Sequence, residues 1–370
     1  MTRDGLQHWA AEQLSENKRL MCLWATGTGK SNIALKFIKD HPGTRTLILV
    51  PESNNIQNWY DEFDKFGVSF FGVEIACYAS LHKFKDTGWD LLVLDEAPHV
   101  DTDLKYDLLS TINAEHVLAL GAVISDEEQL TLKSLYGNFT KSVVTLDMCI
   151  VWGILPPPQV RVIHIKLDDI AGSYTFEGKT LDSKRYYEAL STKVSNAVVV
   201  YNSRPNELTK HKMNLAGAER KRALGQMKQY VIAKICEELK KNNKRFICFC
   251  STVAQAELLG KENAFTSKSK KSLDHLNRFN NHEIDSLYVV GKCIEGQNLR
   301  DIECGVIGQI GGTQRITVQE IGRMMRSTNP VIYIPVIDDT KDTSFLYTLT
   351  SSISRNYISH HYYNPSKQNY

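Results

Sequence analysis

Leu23-Trp24-Ala25-Thr26-Gly27-Thr28-Gly29-Lys30-Ser31 joins an apolar run to a helix-forming one. Residues 20–24 have the length and composition of a short buried strand, and residues 32–38 read as a helix. Strand, glycine-rich turn and helix in that order are the setting a phosphate-binding loop requires. Gly27 and Gly29 let backbone N–H groups close around a triphosphate, and the helix N-terminus adds its partial positive charge. Lys30 would reach the β and γ phosphates, and the Ser31 hydroxyl would ligate Mg²⁺. The strict GxxxxGK[ST] pattern fails at its first glycine, where Trp24 stands. Lys-Ser directly after the second glycine still favours nucleotide binding over an ordinary Gly/Thr-rich loop.

The chain has 370 residues, enough for two domains of ordinary size. At 42% hydrophobic and 23% charged residues it has the composition of a globular protein. A formal charge of +2 excludes a polycation, so any nucleic-acid surface must be a local patch. The eight cysteines show no paired CxxC spacing. Cys248 and Cys250 share one face of an expected strand, which suits buried thiols in a reducing compartment better than a zinc knuckle. Met1-Thr2-Arg3-Asp4-Gly5 lacks the apolar core of a signal peptide, and no apolar run approaches the ~20 residues of a membrane span. The expected location is cytoplasmic.

Upstream of the loop, residues 4–14 read as a helix carrying Gln7, whose side-chain amide could pair with an adenine edge or simply face water. Downstream, residues 46–51 form an expected strand and 54–66 a helix with Ile56, Trp59, Tyr60, Phe63 and Phe66 on a core-facing stripe. The intervening Glu52-Ser53-Asn54-Asn55 suits a phosphate backbone and a helix cap equally. Residues 73–77 are a further strand, leading into Tyr78-Ala79-Ser80-Leu81. Then Trp89-Asp90-Leu91-Leu92-Val93-Leu94 runs into Asp95-Glu96. A carboxylate at the end of a buried strand can hold the Mg²⁺ shell, and its neighbour can orient an attacking water; Asp95 suits the first role and Glu96 the second. Residues 116–120 complete an alternating series that indicates a parallel sheet wrapped by helices.

Gly153-Ile154-Leu155-Pro156-Pro157-Pro158 marks a boundary, because three prolines suit neither a helix interior nor a central strand. The expected domains are 1–155 and 156–370. Residues 160–167 read as a strand. Residues 168–216 read as a polar, irregular insertion with one helical patch at 183–194, and residues 218–240 as one long helix. A second α/β series follows, with strands at 245–250, 286–290, 304–309 and 331–336. Between the last two, Gln319, Arg323 and Arg326 fall at i, i+4 and i+7, one stripe on which two guanidinium groups could fork onto a γ-phosphate. The tail from His360 reads as polar and loose.

In this order the segments resemble the motor of helicase superfamily 2. Ala25 to Ser31 is similar to motif I, residues 47–51 with Trp59 to motif Ia, and residues 92–97 to motif II. Ser251 falls in the motif IV region, Gly296 and Asn298 in motif V, and residues 319–326 fit QxxGRxxR of motif VI. Residues 153–156 resemble the branch containing phage UvsW-type helicases and restriction-enzyme motor subunits. The resemblance implies two tandem RecA-like α/β domains, each a mostly parallel sheet flanked by helices, with ATP between them. Gln7, Thr26, Gly27, Thr28, Gly29, Lys30, Ser31, Gly296 and Asn298 would bind the nucleotide, and Ser31 and Asp95 the Mg²⁺. Lys30, Asp95, Glu96, Gln319, Arg323 and Arg326 would serve hydrolysis. Pro51, Ser53, Asn54, Ser80, Ser251 and Lys268 would meet nucleic acid.

Two departures shape the functional expectation. Pro98 stands at the fourth position of motif II, with His99 displaced by one. Motif III is Gly121-Ala122-Val123, without the two hydroxyls that help couple ATP state to strand movement in the family. The set begins near residue 1, so a motor without an accessory domain is expected, and the resemblance implies a bacterial or phage-infected cell. The expected activity is an ATP-dependent DNA helicase or translocase, with replication, recombination or restriction proteins as partners. An RNA helicase and a nucleotide-switched clamp are the alternatives.

Overall fold

The computed structural model describes residues 1–97, 103–266, 272–290, 299, 301–309, 322, 324, 327–351 and 353–366, with backbone alone at Asn54, Asp103, Ser272 and Leu273. They divide into two units. One is Met1–Pro156 together with Leu299 and Gly322, and the other comprises the remaining described residues from Pro157 onward.

In the first unit the elements run α1 (Arg3–Asn17), β1 (Arg19–Trp24), α2 (Ser31–Asp40), β2 (Thr46–Val50), α3 (Ser53–Phe66), β3 (Val73–Cys77) and a 3₁₀ turn (Tyr78–Phe84). They continue with β4 (Gly88–Leu94), α4 (Asp103–Ser110), β5 (Asn113–Gly121), α5 (Asp126–Tyr136), β6 (Thr140–Val144) and α6 (Leu146–Val151). Thr2 caps α1 by accepting the Gly5 N–H at 3.1 Å, and Gly67 ends α3 at φ +61. The strands form one parallel sheet in the order β3-β2-β4-β5-β1-β6. Every residue of β2 is buried, as expected of a strand covered on both faces. Leu47, Leu49, Leu92, Leu94, Val117 and Ala119 supply one apolar layer from three neighbouring strands. Because the strands are parallel, their C-terminal ends share one rim. That rim carries the glycine-rich loop after β1, Pro51 after β2, Tyr78 after β3 and Asp95 after β4.

The second unit contains β7 (Gln159–Ile165), β8 (Tyr174–Phe176), β9 (Lys179–Leu181), α7 (Ser183–Ser203), α8 (Glu207–Met227), α9 (Gln229–Lys241), β10 (Phe246–Cys250) and α10 (Val253–Gly260). After these come β11 (Ala264–Phe265), α11 (Ser272–Asn280), β12 (Ser286–Val290), β13 (Cys304–Ile307), β14 (Val331–Ile337), α12 (Lys341–Thr350) and β15 (Ile358–Tyr362). Its main sheet is parallel throughout, in the order β11-β12-β10-β13-β14-β7-β15. Ile163, Ile232, Ile235, Phe246, Cys248 and Val306 belong to its core. The α/β class with two helix-flanked parallel sheets is therefore as expected from the sequence.

Three readings of this half are corrected. Residues 168–216 are not irregular: β8 and β9 make an antiparallel hairpin, and α7 and the first half of α8 fill most of the rest. Asp182 and Asn206 cap the two helices through side-chain oxygens. The single helix expected over 218–240 is two helices meeting at Lys228, which is fully buried and ion-paired to equally buried Asp342 at 2.8 Å. The tail is not loose at residues 358–362, because β15 pairs with β7 from Ile358↔Val160 to Tyr362↔His164. His164 joins Asp338 at 2.6 Å through Nδ1 and His360 at 2.8 Å through Nε2, and its ring stacks on Tyr362.

This edge strand is expected to be pH-sensitive. Burial, with His164 and His361 nearby, holds the His360 imidazole below its usual 6.5. The unfolded chain therefore binds more protons just below that value, and the strand's attachment weakens as pH falls from 6.5 through the lower native value. Amide exchange at residues 359–362, corrected for the intrinsic rate, should accelerate between about pH 7 and pH 5. His360→Gln should remove that extra acceleration; an unchanged pH response in the variant would contradict the assignment.

Among the described residues no helix is long and apolar enough to cross a membrane.

Candidate functional site

The glycine-rich loop is built from β1 outward. Trp24 closes the strand fully buried, its indole N–H donating to Ser142 Oγ on β6 at 2.8 Å. The indole thus lies against the neighbouring strand, which accounts for a bulky residue at the position the usual pattern gives to glycine. Ala25 N–H donates to Val144 O at 2.9 Å, and the Thr28 hydroxyl turns back to Ala25 O at 2.8 Å. Gly27 and Gly29 take φ +89 and +77, a region L side chains rarely adopt. A Cβ on Gly29 would lie 2.5 Å from Gln7 Nε2, so a side chain there would have to push the Gln7 amide off the loop carbonyls. Thr26 is half-buried before the turn, and Ser31 opens α2.

Gln7 is buried beneath the loop. Its Nε2 donates to Thr28 O at 2.9 Å and Gly29 O at 3.0 Å, while Oε1 accepts from Asn32 Nδ2 at 3.5 Å. In this structure both amide donor contacts go to the loop itself, so Gln7 braces the glycine-rich turn. Lys30 Nζ donates to Trp24 O at 3.1 Å. Burial pulls the Lys30 ammonium below its ordinary range, opposed by Glu96 and then Asp95. A single carbonyl offsets a partly buried ammonium only in part, and an anion at the loop would suit it better.

Asp95 and Glu96 follow β4 directly. Asp95 Oδ2 accepts the Trp59 indole N–H at 2.9 Å, Oδ1 accepts the Glu96 backbone N–H at 3.1 Å, and the backbone carbonyl accepts the Tyr78 hydroxyl at 3.0 Å. Burial first, and then the Glu96 charge, push the Asp95 carboxyl up to about 6, against the opposing pull of Trp59 and Lys30. Glu96 sits at φ +48, an unusual conformation for a side chain of this kind and the sort of local strain that gathers at working sites. Two carboxylates thus share the rim with one lysine and a glycine cradle. A Mg²⁺ coordinated largely by phosphate oxygens and water needs only one or two protein ligands, and Asp95 with Ser31 fits that demand.

The other rim residues are more dispersed. Pro51 is half-buried, Ser53 is exposed at the start of α3, and Ser80 is half-buried in the 3₁₀ turn. The Asn54 side chain lies outside the described residues. In the second unit Ser251 follows β10, with its hydroxyl and its backbone N–H both donating to Gln255 Oε1, at 2.9 and 2.8 Å. Gln255 in turn donates to Gly225 O at 2.9 Å, so the Ser251 hydroxyl takes part in a local structural network. Pro98, His99, Lys268, Gly296, Asn298, Gln319, Arg323 and Arg326 lie outside the described residues.

Sequence reasoning missed the part played by Trp59 and Tyr78, which it assigned to the core or left without a role. The one available signal was chemical: a tryptophan on a buried stripe needs a partner for its N–H.

Residues 5–162 match the DEAD/DEAH box helicase family. Over 330 residues the chain is 23% identical to the "Putative DNA 3'-5' helicase Rad25" of Halobacterium salinarum, an alignment covering 81% of this chain and 48% of that protein. The chain therefore spans about half the length of this relative. In fold it is similar to the Hef helicase domain of Pyrococcus furiosus (TM-score 0.55, 13% identity, 94% of this chain and 99% of that one). It is also similar to Mss116p bound to ssRNA and AMP-PNP (TM-score 0.58, 14% identity, 94% and 72%). A third likeness is to the ATP-dependent Type ISP restriction-modification enzyme LlaBIII bound to DNA (TM-score 0.58, 12% identity, 98% and 31%). These likenesses show the fold: tandem RecA-like domains.

Proposed function

We propose, from the match of residues 5–162 to the DEAD/DEAH box helicase family, that the protein is an ATP-dependent DNA helicase or translocase. The observation that carries the reading is the rim of the first sheet, where a glycine cradle and Lys30 follow β1 and the Asp95–Glu96 pair follows β4, the two strands that flank β5 in one parallel sheet. Thr26 to Ser31 would hold the triphosphate, with Lys30 at its β and γ phosphates. Mg²⁺, held by Ser31 and Asp95, would offset phosphate charge. Glu96 would orient the attacking water and take its proton. Gln319, Arg323 and Arg326 are proposed to meet the γ-phosphate, with Gly296 and Asn298 beside the nucleotide. Pro51, Ser53, Asn54, Ser80, Ser251 and Lys268 are proposed nucleic-acid contacts, reading backbone more than sequence.

DNA is favoured over RNA by the Halobacterium relative, named for a DNA helicase activity. The test is displacement of a labelled strand from tailed DNA and RNA duplexes with ATP. Displacement of DNA alone is expected, and displacement of RNA alone would replace this reading with an RNA helicase. One observation favours a second reading. β5 ends in Gly121 and continues as Ala122-Val123, so the hydroxyls that usually link ATP state to strand movement are absent from this position. ATP-dependent DNA binding without displacement or translocation would identify a nucleotide-switched clamp.

A further inference from the structure

Asp95 is clamped by two elements whose sequences also carry proposed nucleic-acid residues. Trp59, on α3, donates its indole N–H to Oδ2, and α3 begins at Ser53. Tyr78 donates its hydroxyl to the Asp95 carbonyl and opens the 3₁₀ turn that contains Ser80. The contact to Oδ1 comes from the adjoining Glu96 N–H and moves with the Asp-Glu pair. The plane of the carboxylate is therefore set from outside its own segment by Trp59. At 3% exposure the indole N–H has no ready access to water, so its hydrogen bond to Asp95 is its way of being satisfied. A phenylalanine would fill similar space and donate nothing.

We infer that Trp59 is a positioning residue: it orients Asp95 toward bound Mg²⁺ and makes that orientation follow the position of α3. Nucleic acid pressing on the Ser53 end of α3 would then alter how the nucleotide site holds its metal. This second half rests on the nucleic-acid reading proposed above; the first half does not. Coupling of this kind is reciprocal, so it is legible in equilibrium binding as well as in turnover.

The test measures affinity for a fluorescent, non-hydrolysable ATP analogue, mant-AMP-PNP, in EDTA and in Mg²⁺, for the wild type, Trp59→Phe, Asp95→Asn and the double variant. Trp59→Phe is expected to leave metal-free affinity near wild type and to reduce the gain conferred by Mg²⁺ about tenfold, the scale of a lost hydrogen bond to a charged group. On the Asp95→Asn background the same change should do nothing further. A Mg²⁺ gain that survives Trp59→Phe, or a loss of equal size on both backgrounds, would overturn the positioning role. Tyr78→Phe loosens Asp95 from the other element and should show a smaller loss of the same kind, which keeps the test open if Trp59→Phe does not fold. Single-stranded DNA is then added to each Mg²⁺ titration. It should shift wild-type affinity by a factor that Trp59→Phe brings toward one, and an undiminished factor would refute the link through α3. If DNA leaves the wild-type affinity unchanged, the link through α3 fails; direct binding of labelled DNA to the same protein decides the nucleic-acid reading separately, and the metal titration still decides the role of Trp59.

Discussion

Lys30→Ala is expected to lower ATP turnover by about 10²- to 10³-fold while leaving the fold intact. The magnitude is that of removing one preorganised charge from a site where negative charge develops. Lys30 lies partly buried at the loop, where its ammonium donates to the Trp24 carbonyl at 3.1 Å, and its charge faces the Asp95–Glu96 pair. Truncating it removes a cation from the cradle without opening a large apolar void. Steady-state phosphate release, with far-UV circular dichroism as the control, checks the expectation. Near-normal turnover would mean that the phosphate groups are held elsewhere and would remove the basis of the nucleotide site.

The largest expected effect on stability lies in the second unit. Lys228 and Asp342 are both fully buried, with Nζ and Oδ2 2.8 Å apart. Asp342 also accepts the Ile337 N–H at 3.3 Å and lies at the start of α12, while Lys228 is the junction of α8 and α9. Asp342→Ala would leave an ammonium in the core without its counter-charge, which costs about 3–5 kcal/mol. Replacing both partners by apolar residues, as in Lys228→Met/Asp342→Leu, should recover most of that loss, since the pair's own desolvation disappears with it. Urea unfolding followed by circular dichroism reads both. The chain's tryptophans are Trp9, Trp24, Trp59, Trp89 and Trp152, so their fluorescence follows the first unit separately. A change below about 1 kcal/mol for Asp342→Ala, the range of an exposed pair, would show that this pair does not hold the helix junction.

How much could be read from the amino-acid order depended on how each element is buried. β1, β2 and β4 are central strands covered on both faces, so they appear as uninterrupted apolar runs, and the glycine-rich loop and Asp95–Glu96 follow their ends directly. β6 and β15 are edge strands of mixed polarity, Thr-Lys-Ser-Val-Val and Ile-Ser-His-His-Tyr, and neither shows such a run. β15 takes its place from register with β7 and from the His164 contacts, which are nearly two hundred positions away in sequence. α7 and α8 pair along their lengths and leave Val199, Val200, Leu208 and Leu215 exposed, so no narrow apolar stripe marks the end of α7 or the first half of α8 as helix, and only residues 183–194 and those from 218 onward read so. Lys228 reads as one more charge on a basic helix until its distant partner is known. In the site, residue types revealed the loop and the carboxylates, while the Gln7 contacts beneath the loop and the Trp59 bond to Asp95 depend on long-range packing that spacing does not encode.

The most direct test of the central claim is ATP turnover without nucleic acid and with single-stranded DNA, duplex DNA or RNA, each for the wild type and Glu96→Gln. Turnover that rises with DNA and is abolished in Glu96→Gln is the predicted result, and the form of DNA that stimulates most is the form the motor tracks. Turnover indifferent to every nucleic acid, or undiminished by Glu96→Gln, would contradict it.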